Sequence, residues 1–259
     1  MSKISSDKLY HFTHKLEYLE SILMNGFYPR CSMENYHFIF DQLNGGEAFI
    51  GHCMVCFCDL PVELQKDHKI SYGKYGIAMT KTWGMEKGIS PVMYVHENSD
   101  SINSLKHMAI NIKGFIMPQN RDKKIMKHKV CQRWIEFAEE IFGSFNQYIG
   151  YLKLYTENDK CYYDEREWRY LYPWITPDKI KEGYTNVLIG KNNEDKIKSL
   201  NKEMEGHPLL FNLDDIYQII VPSNEEKKNL EIYIKMNQEQ FSEKYFEIDK
   251  LINKINVHE

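Results

Sequence analysis

The chain has 259 residues, 42% of them hydrophobic and 14% aromatic, with a formal charge of -4 and a pI of about 6.2. That is enough apolar content for a sizeable core, and a net-acidic chain gains no general attraction for nucleic acid, so any such contact has to come from a local patch. No run approaches 18 uncharged apolar residues and Met1 to Lys8 is polar, so neither a membrane span nor a secretory signal is expected, and the six cysteines are expected as reduced thiols of a cytoplasmic protein.

Leu9-Tyr10-His11-Phe12 is short and aromatic, the pattern of a core strand. Thr13 stands where a helix N-cap belongs. Leu16, Leu19, Ile22 and Leu23 then fall on one helical face, and Asn25-Gly26 with Pro29 beyond stops the helix. Residues 31–48 are expected to be irregular and mobile, ending in Asn44-Gly45-Gly46. Met54 to Cys58 is a compact apolar run, expected as a buried strand closed by Asp59-Leu60-Pro61, and Val62 to Ile70 is expected as a short helix. Lys74 to Met79 reads as a strand, Thr82 to Lys87 as a short helix ending at Gly88, and Pro91 to Val95 as a further strand. From about 100 to 150 the periodicity turns helical, as in Trp134, Ile135, Ala138, Ile141 and Phe142. Alternation returns at Glu167 to Tyr172, and Leu209 to Val221 points to a strand pair. Glu225 to Lys254 is an amphipathic helix rich in lysine and glutamate, with Leu230, Ile232, Tyr233 and Ile234 expected to dock on the body. With no repeat and no long linker, the expectation is a single α+β domain over 1–259, with a helical insertion at about 100–150 and a C-terminal amphipathic helix at about 225–254.

Three constellations bear on chemistry. In Tyr10-His11-Phe12-Thr13, a strand histidine beside a groove can donate to a ribose hydroxyl while its ring packs on a flat group; the plainer reading is a hydrogen-bonded core histidine. In Glu165-Arg166-Glu167-Trp168-Arg169, two carboxylates two residues apart on an extended segment point to one side. A carboxylate there can hold a ribose hydroxyl and stabilise charge at an oxocarbenium-like centre; the plainer reading is a solvated charged edge with Arg166 and Arg169 as partners. Ser71-Tyr72-Gly73-Lys74-Tyr75-Gly76 combines rings that stack a planar group with glycines that admit close backbone approach, and is also ordinary turn chemistry.

Two further runs invite a cofactor or a partner. Cys53, Cys56 and Cys58 include a C-x-x-C spacing, but a closed zinc site needs a second ligand pair and Cys31, Cys131 and Cys161 are isolated, so no metal is expected. On a strand, Cys56 and Cys58 share a face and Cys53 takes the other. The basic run from Arg121 to Lys129 is either a solvated face or a contact for a phosphate backbone.

The opening Leu9-Tyr10-His11-Phe12-Thr13, with its helix ending at Asn25-Gly26, resembles the start of DarT-type enzymes and RNA 2′-phosphotransferases, and Glu165-Arg166-Glu167 before a strand resembles the E-x-E motif of the ADP-ribosyltransferase superfamily. That resemblance implies an ADP-ribosyltransferase-like split, mixed or antiparallel sheet with flanking helices. It also implies NAD as a substrate, Glu167 as the catalytic carboxylate, Glu165 as its auxiliary, and His11, Thr13 and Tyr72 or Tyr75 as NAD-binding residues. The chain lacks the serine-threonine-serine strand motif of the protein-modifying clades. Longer segments, Val55 to Pro61, Tyr72 to Ile77, Lys81 to Gly84, Pro91 to Val95 and Glu165 to Arg169, resemble the AbiGi family of abortive-infection proteins, whose members are described as antitoxins of two-gene phage-resistance systems. Two functions follow as expectations. One is an NAD-using enzyme that transfers ADP-ribose to a macromolecule or cleaves NAD. The other is a non-enzymatic module that binds a partner toxin or senses a phage component through the insertion and the tail.

Overall fold

The computed structural model describes residues 5–44, 48–116, 129–173 and 194–258. The first part runs β1 (Lys8–Thr13), α1 (Leu16–Asn25), β2 (Arg30–Asn35), α2 (His37–Asn44), β3 (Phe49–Cys58), α3 (Lys66–Tyr72), β4 (Tyr75–Thr80), α4 (Lys81–Glu86), β5 (Ser90–Pro91) and β6 (Met93–Val95). Two long helices follow, α5 (Asp100–Ile116) and α6 (Lys129–Ile149). Next come β7 (Leu152–Leu154), β8 (Thr156–Glu157), β9 (Lys160–Cys161), a 3-10 turn over Tyr162–Glu165 and β10 (Glu167–Leu171). The remainder is α7 (Glu194–Met204), β11 (Ile216–Val221), α8 (Asn224–Met236), α9 (Gln238–Tyr245), α10 (Ile248–Asn253) and β12 (Ile255–Val257).

An eight-stranded mixed sheet has the order β12-β11-β4-β1-β3-β10-β5, with β2 paired to the N-terminal half of β3. Among the described residues only β11 and β12 run parallel within it. One face carries the larger core: Leu9, Val55, Phe57, Ile77, Met79 and Ile219 from the strands meet Leu19 and Leu23 of α1, Trp83 of α4, Leu230 and Ile234 of α8, and Phe241 of α9. The other face is covered in two parts. Tyr10, Phe12, Cys58, Leu60, Ala78 and Ile220 form a small cluster near the middle. Around Ile50, residues of α2, α5, α6 and β7, among them Phe38, Ile102, Phe145 and Leu152, build a second core. Central strands therefore bury both faces, which is why Met54 to Cys58 reads as an unbroken apolar run.

The α+β class, the mixed sheet and the flanking helices agree with the reading of the sequence. So do β1, α1 with its stop at Gly26 (φ 91°), β4, α4 and β10. Several expectations are corrected. Thr13 does not cap α1: its hydroxyl donates to the carbonyl of Lys15 and accepts from that residue's N–H, while Lys15 holds the N-cap position. Residues 31–44 are largely regular, because Cys31 and Met33 alternate with Ser32 and Glu34 in the period of a strand, and the Asn35 side chain accepts from the His37 N–H to start α2. Leu209 to Val221 supplies one strand and an isolated bridge between Leu209 and Phe27, not a strand pair. The tail is three helices and a strand. Its turns fall at Asn237 and at Phe246, a non-glycine residue at φ 59°, and they bring Leu230, Ile234, Phe241 and Leu251 onto one core while Ile232 stays exposed. The basic run from Arg121 lies outside the described residues except for the helical backbone of Lys129.

Candidate functional site

Strand register decides which of the expected site residues can meet. Residues directly opposite one another in an antiparallel pair project from the same face, and neighbours along a strand from opposite faces. Cys58 stands opposite both Tyr10 of β1 and Glu167 of β10, so Tyr10, Cys58 and Glu167 share a face. His11, next to Tyr10, projects from the other face, with Thr13 and with Tyr75, which pairs with Thr13. An NAD site of the kind that the resemblance implies needs His11, Tyr75 and Glu167 on one side, and the register puts Glu167 on the side away from the other two. The six residues divide into His11, Thr13 and Tyr75 on the apolar face, and Tyr72, Glu165 and Glu167 on the opposite side.

The first group is structural in its contacts. Nδ1 of His11 lies 2.8 Å from the carbonyl of Cys56, and its ring packs edge-on to Phe27 and tilted against Phe57. Burial holds its pKa below the usual histidine value, against the smaller upward pull of that carbonyl. Tyr75 reaches the first turn of α8, where burial and then Glu226, a hydrogen-bond partner, push its phenol up. Gly73, expected as a point of close approach to a ligand, instead admits the chain itself. At φ 108° a Cβ there would sit 2.0 Å from the carbonyl oxygen of Thr13.

The second group lies in a network of opposite charges where the sheet meets β7, β9 and the 3-10 turn. Arg169, two residues along β10 from Glu167, is 0% exposed and uses all five of its N–H donors. Nε donates to Glu167 Oε1 at 2.7 Å and Nη2 to Glu167 Oε2 at 3.2 Å. Nη1 and Nη2 grip Glu34 of β2 in a bidentate fork at 2.7 and 2.6 Å, and Nη1 also donates to the carbonyl of Gly150 at 2.6 Å. Lys153 of β7 bridges Glu165 and Glu167, at 2.8 Å from each, and Lys160 of β9 adds a contact to Glu165 at 2.7 Å. The Tyr72 hydroxyl donates to Glu165 at 3.1 Å, the Tyr94 hydroxyl accepts from the Glu167 backbone N–H at 2.8 Å, and the Tyr36 hydroxyl donates to Glu34 at 2.8 Å.

Three carboxylates, Glu34, Glu165 and Glu167, face three cations, Arg169, Lys153 and Lys160. Burial alone would raise the Glu167 carboxyl, but Arg169 and Lys153 outweigh it and bring it to about 2. Glu165 is lowered in the same way, with burial opposed by Lys153 and Lys160. Burial pulls Lys153 down and the two glutamates more than reverse it, so it stays charged. Burial and then the nearby carboxylates drive the Tyr72 phenol up, so it remains a donor. His52 of β3, on the same face beside Tyr36, is pushed down to about 3 by burial and then by the Arg169 charge, and stays neutral.

Both Glu167 oxygens are taken, and the residue is 8% exposed. A ribose hydroxyl could engage it only by displacing Arg169 or Lys153. The plainer sequence reading also needs correcting, since Arg169 is no surface partner, and Arg166 turns away, with its guanidinium 4.0 Å from the Tyr163 ring centroid. Two surface depressions, one lined by Lys235, Gln238, Phe246 and Lys250, the other by His37, Glu97, Thr156 and Asp159, include none of the six expected residues. Among the described residues no group of three or more His, Cys, Asp or Glu could hold a metal ion, and no helix is long and apolar enough to cross a membrane. Sequence reading missed Glu34, Lys153 and Tyr94. The alternation around Glu34 and in Leu152-Lys153-Leu154 carried a strand signal, but nothing local links either position to β10.

Residues 25–222 match a family model described as "Putative abortive phage resistance protein AbiGi, antitoxin". A curated relative, the abortive phage resistance protein AbiGi of Lactococcus lactis subsp. cremoris, is 29% identical over 218 residues, spanning 80% of this chain and 86% of the relative. No solved structure matches the chain, so the likeness to ADP-ribosyltransferases rests on its short sequence motifs.

Proposed function

We propose that this chain, which belongs to the AbiGi family of abortive phage resistance proteins, serves anti-phage defence as the antitoxin of a two-gene system and acts by binding its partner, without turning over NAD. The family description names an antitoxin. The observation that carries the reading is the split of the NAD pattern. His11 and Glu167 sit on opposite faces of one sheet, and the Glu167 carboxylate is neutralised by Arg169 and Lys153 rather than presented to a cleft. A transferase carboxylate has to be free to meet charge developing in the transition state. One already saturated by two cations instead ties β7 to the sheet.

The test is co-expression with the toxin gene of the pair, with growth, co-purification and nicotinamide release from NAD measured together. Restored growth, a complex that survives gel filtration and nicotinamide release no faster than buffer are the expected results. Nicotinamide release that scales with protein and is lost in Glu165→Gln would overturn the reading in favour of an NAD-using enzyme.

A further inference from the structure

The cysteines of β2 and β3 carry a feature that the defence role does not use. Cys31 of β2 and Cys53 of β3 stand directly opposite each other in the antiparallel register, so their side chains leave the same face. Two hydrogen bonds fix the kind of pair they make. The Cys53 carbonyl accepts from the Tyr172 N–H, on the side of β3 away from β2, and the Cys31 N–H donates to the Asn201 side chain of α7 at 2.7 Å, away from β3. Neither residue's main chain bridges the two strands, so this is a non-hydrogen-bonded pair, the closer of the two antiparallel kinds, with Cα atoms about 4.5 Å apart. That spacing lies inside the range a disulfide spans, roughly 4.4–6.8 Å.

We propose that Cys31 and Cys53 are a redox-modifiable pair, closed to a cross-strand disulfide by a hydroperoxide.

Cys31 is half-buried and Cys53 buried, and neither is in a disulfide in this structure. A hydrogen bond from the Cys53 thiol lowers the Cys31 pKa, against the opposing pull of burial, and so favours the thiolate that attacks an oxidant. The other cysteines of β3 are poised the other way. Burial, and then the Glu167 charge, raise Cys56, and burial pushes Cys58 up to about 12. With hydrogen peroxide, the Cys31 thiolate attacks one oxygen, the O–O bond breaks, and the other oxygen leaves as water after taking up a proton. Cys31 is then a sulfenic acid. The Cys53 sulfur attacks the Cys31 sulfur, the S–S bond forms, the S–O bond breaks, and the departing hydroxide takes the Cys53 proton as a second water. Two thiols lose two electrons and one peroxide gains them. The product ties β2 to β3 three residues from Glu34, the partner of Arg169.

The experiment treats the whole reduced chain with hydrogen peroxide, unfolds it in an alkylating agent and maps its peptides by mass spectrometry, beside a non-reducing gel. The expected product is a monomer in which the Cys31 and Cys53 peptides are joined, two hydrogens lighter than the separate thiols, and parted again by dithiothreitol. In Cys53→Ser the link is lost and the sulfenic-acid reagent dimedone labels Cys31 instead. A wild-type Cys31 that stays reduced, that accumulates as the dimedone adduct, or that links to any other cysteine, in the same chain or another, would overturn the proposal. The wild-type map decides the matter even if the serine variant folds poorly.

Discussion

The two faces of the sheet are both buried, and they are held by different physics. Strand β10 shows it within five residues: Trp168 and Tyr170 go to the side of the large apolar core, while Glu167 and Arg169 go to the other and are more deeply buried than either aromatic. On the apolar side the contacts are short-ranged, non-directional and nearly additive, so a lost methyl group costs its own transfer energy and a cavity. On the charged side the partners come from β2, β7, β9, β10 and the 3-10 turn. Each ion is tolerable only because the others are in place. The apolar face therefore supplies stability by accumulation, whereas the charged face ties β7, β9 and the 3-10 turn to the sheet in one geometry.

The sharpest way to break that comparison is Arg169→Met, which keeps an unbranched buried side chain and strands the carboxylates of Glu34 and Glu167. A loss of about 3–5 kcal/mol is expected by urea unfolding at pH 7. The loss should shrink toward pH 4, where the orphaned carboxylates can take up protons. A loss below about 1 kcal/mol would mean that the network behaves like a surface ion pair. Leu9→Ala is the counterpart on the apolar side, from a residue 0% exposed. It should cost about 3 kcal/mol, by the same amount at pH 7 and pH 4, since no titrating group is stranded. A strong pH dependence there would end the contrast between the faces.

The smallest effect is a slope. His52 titrates at about 3 in the folded chain, below the ordinary 6.5, so acidification protonates the unfolded chain first. Its contribution is complete above pH 6.5 and is lost as the pH falls toward 3, at about 1.4 kcal/mol per pH unit within that window. Glu167 adds its own loss lower down, between the ordinary 4.5 and about 2. Stability measured from pH 5 to 6 should fall less steeply, by one proton, in His52→Gln than in the wild type. Identical slopes would show that His52 is protonated in the folded protein.

Local pattern alone determined a good part of this protein. The aromatic β1, the stop of α1 at Gly26, β4, the short α4 before Gly88 and the alternation of β10 were legible because propensity, periodicity and turn chemistry act over a few residues. Alternation also established that Glu167 and Arg169 share a side, as Trp168 and Tyr170 share the other. It could not say whether the side of Glu167 is also the side of His11. That depends on how β1, β3 and β10 are set against one another, and a slip of one residue would reverse the answer. The partners of Arg169 were hidden for the same reason. Glu34 stands 135 residues away and Lys153 belongs to a three-residue strand after α6, so only tertiary packing brings them within hydrogen-bond reach. A charged pair on a strand ordinarily signals a wet face, and only the tertiary structure, by supplying counter-charges from distant elements, buried this one.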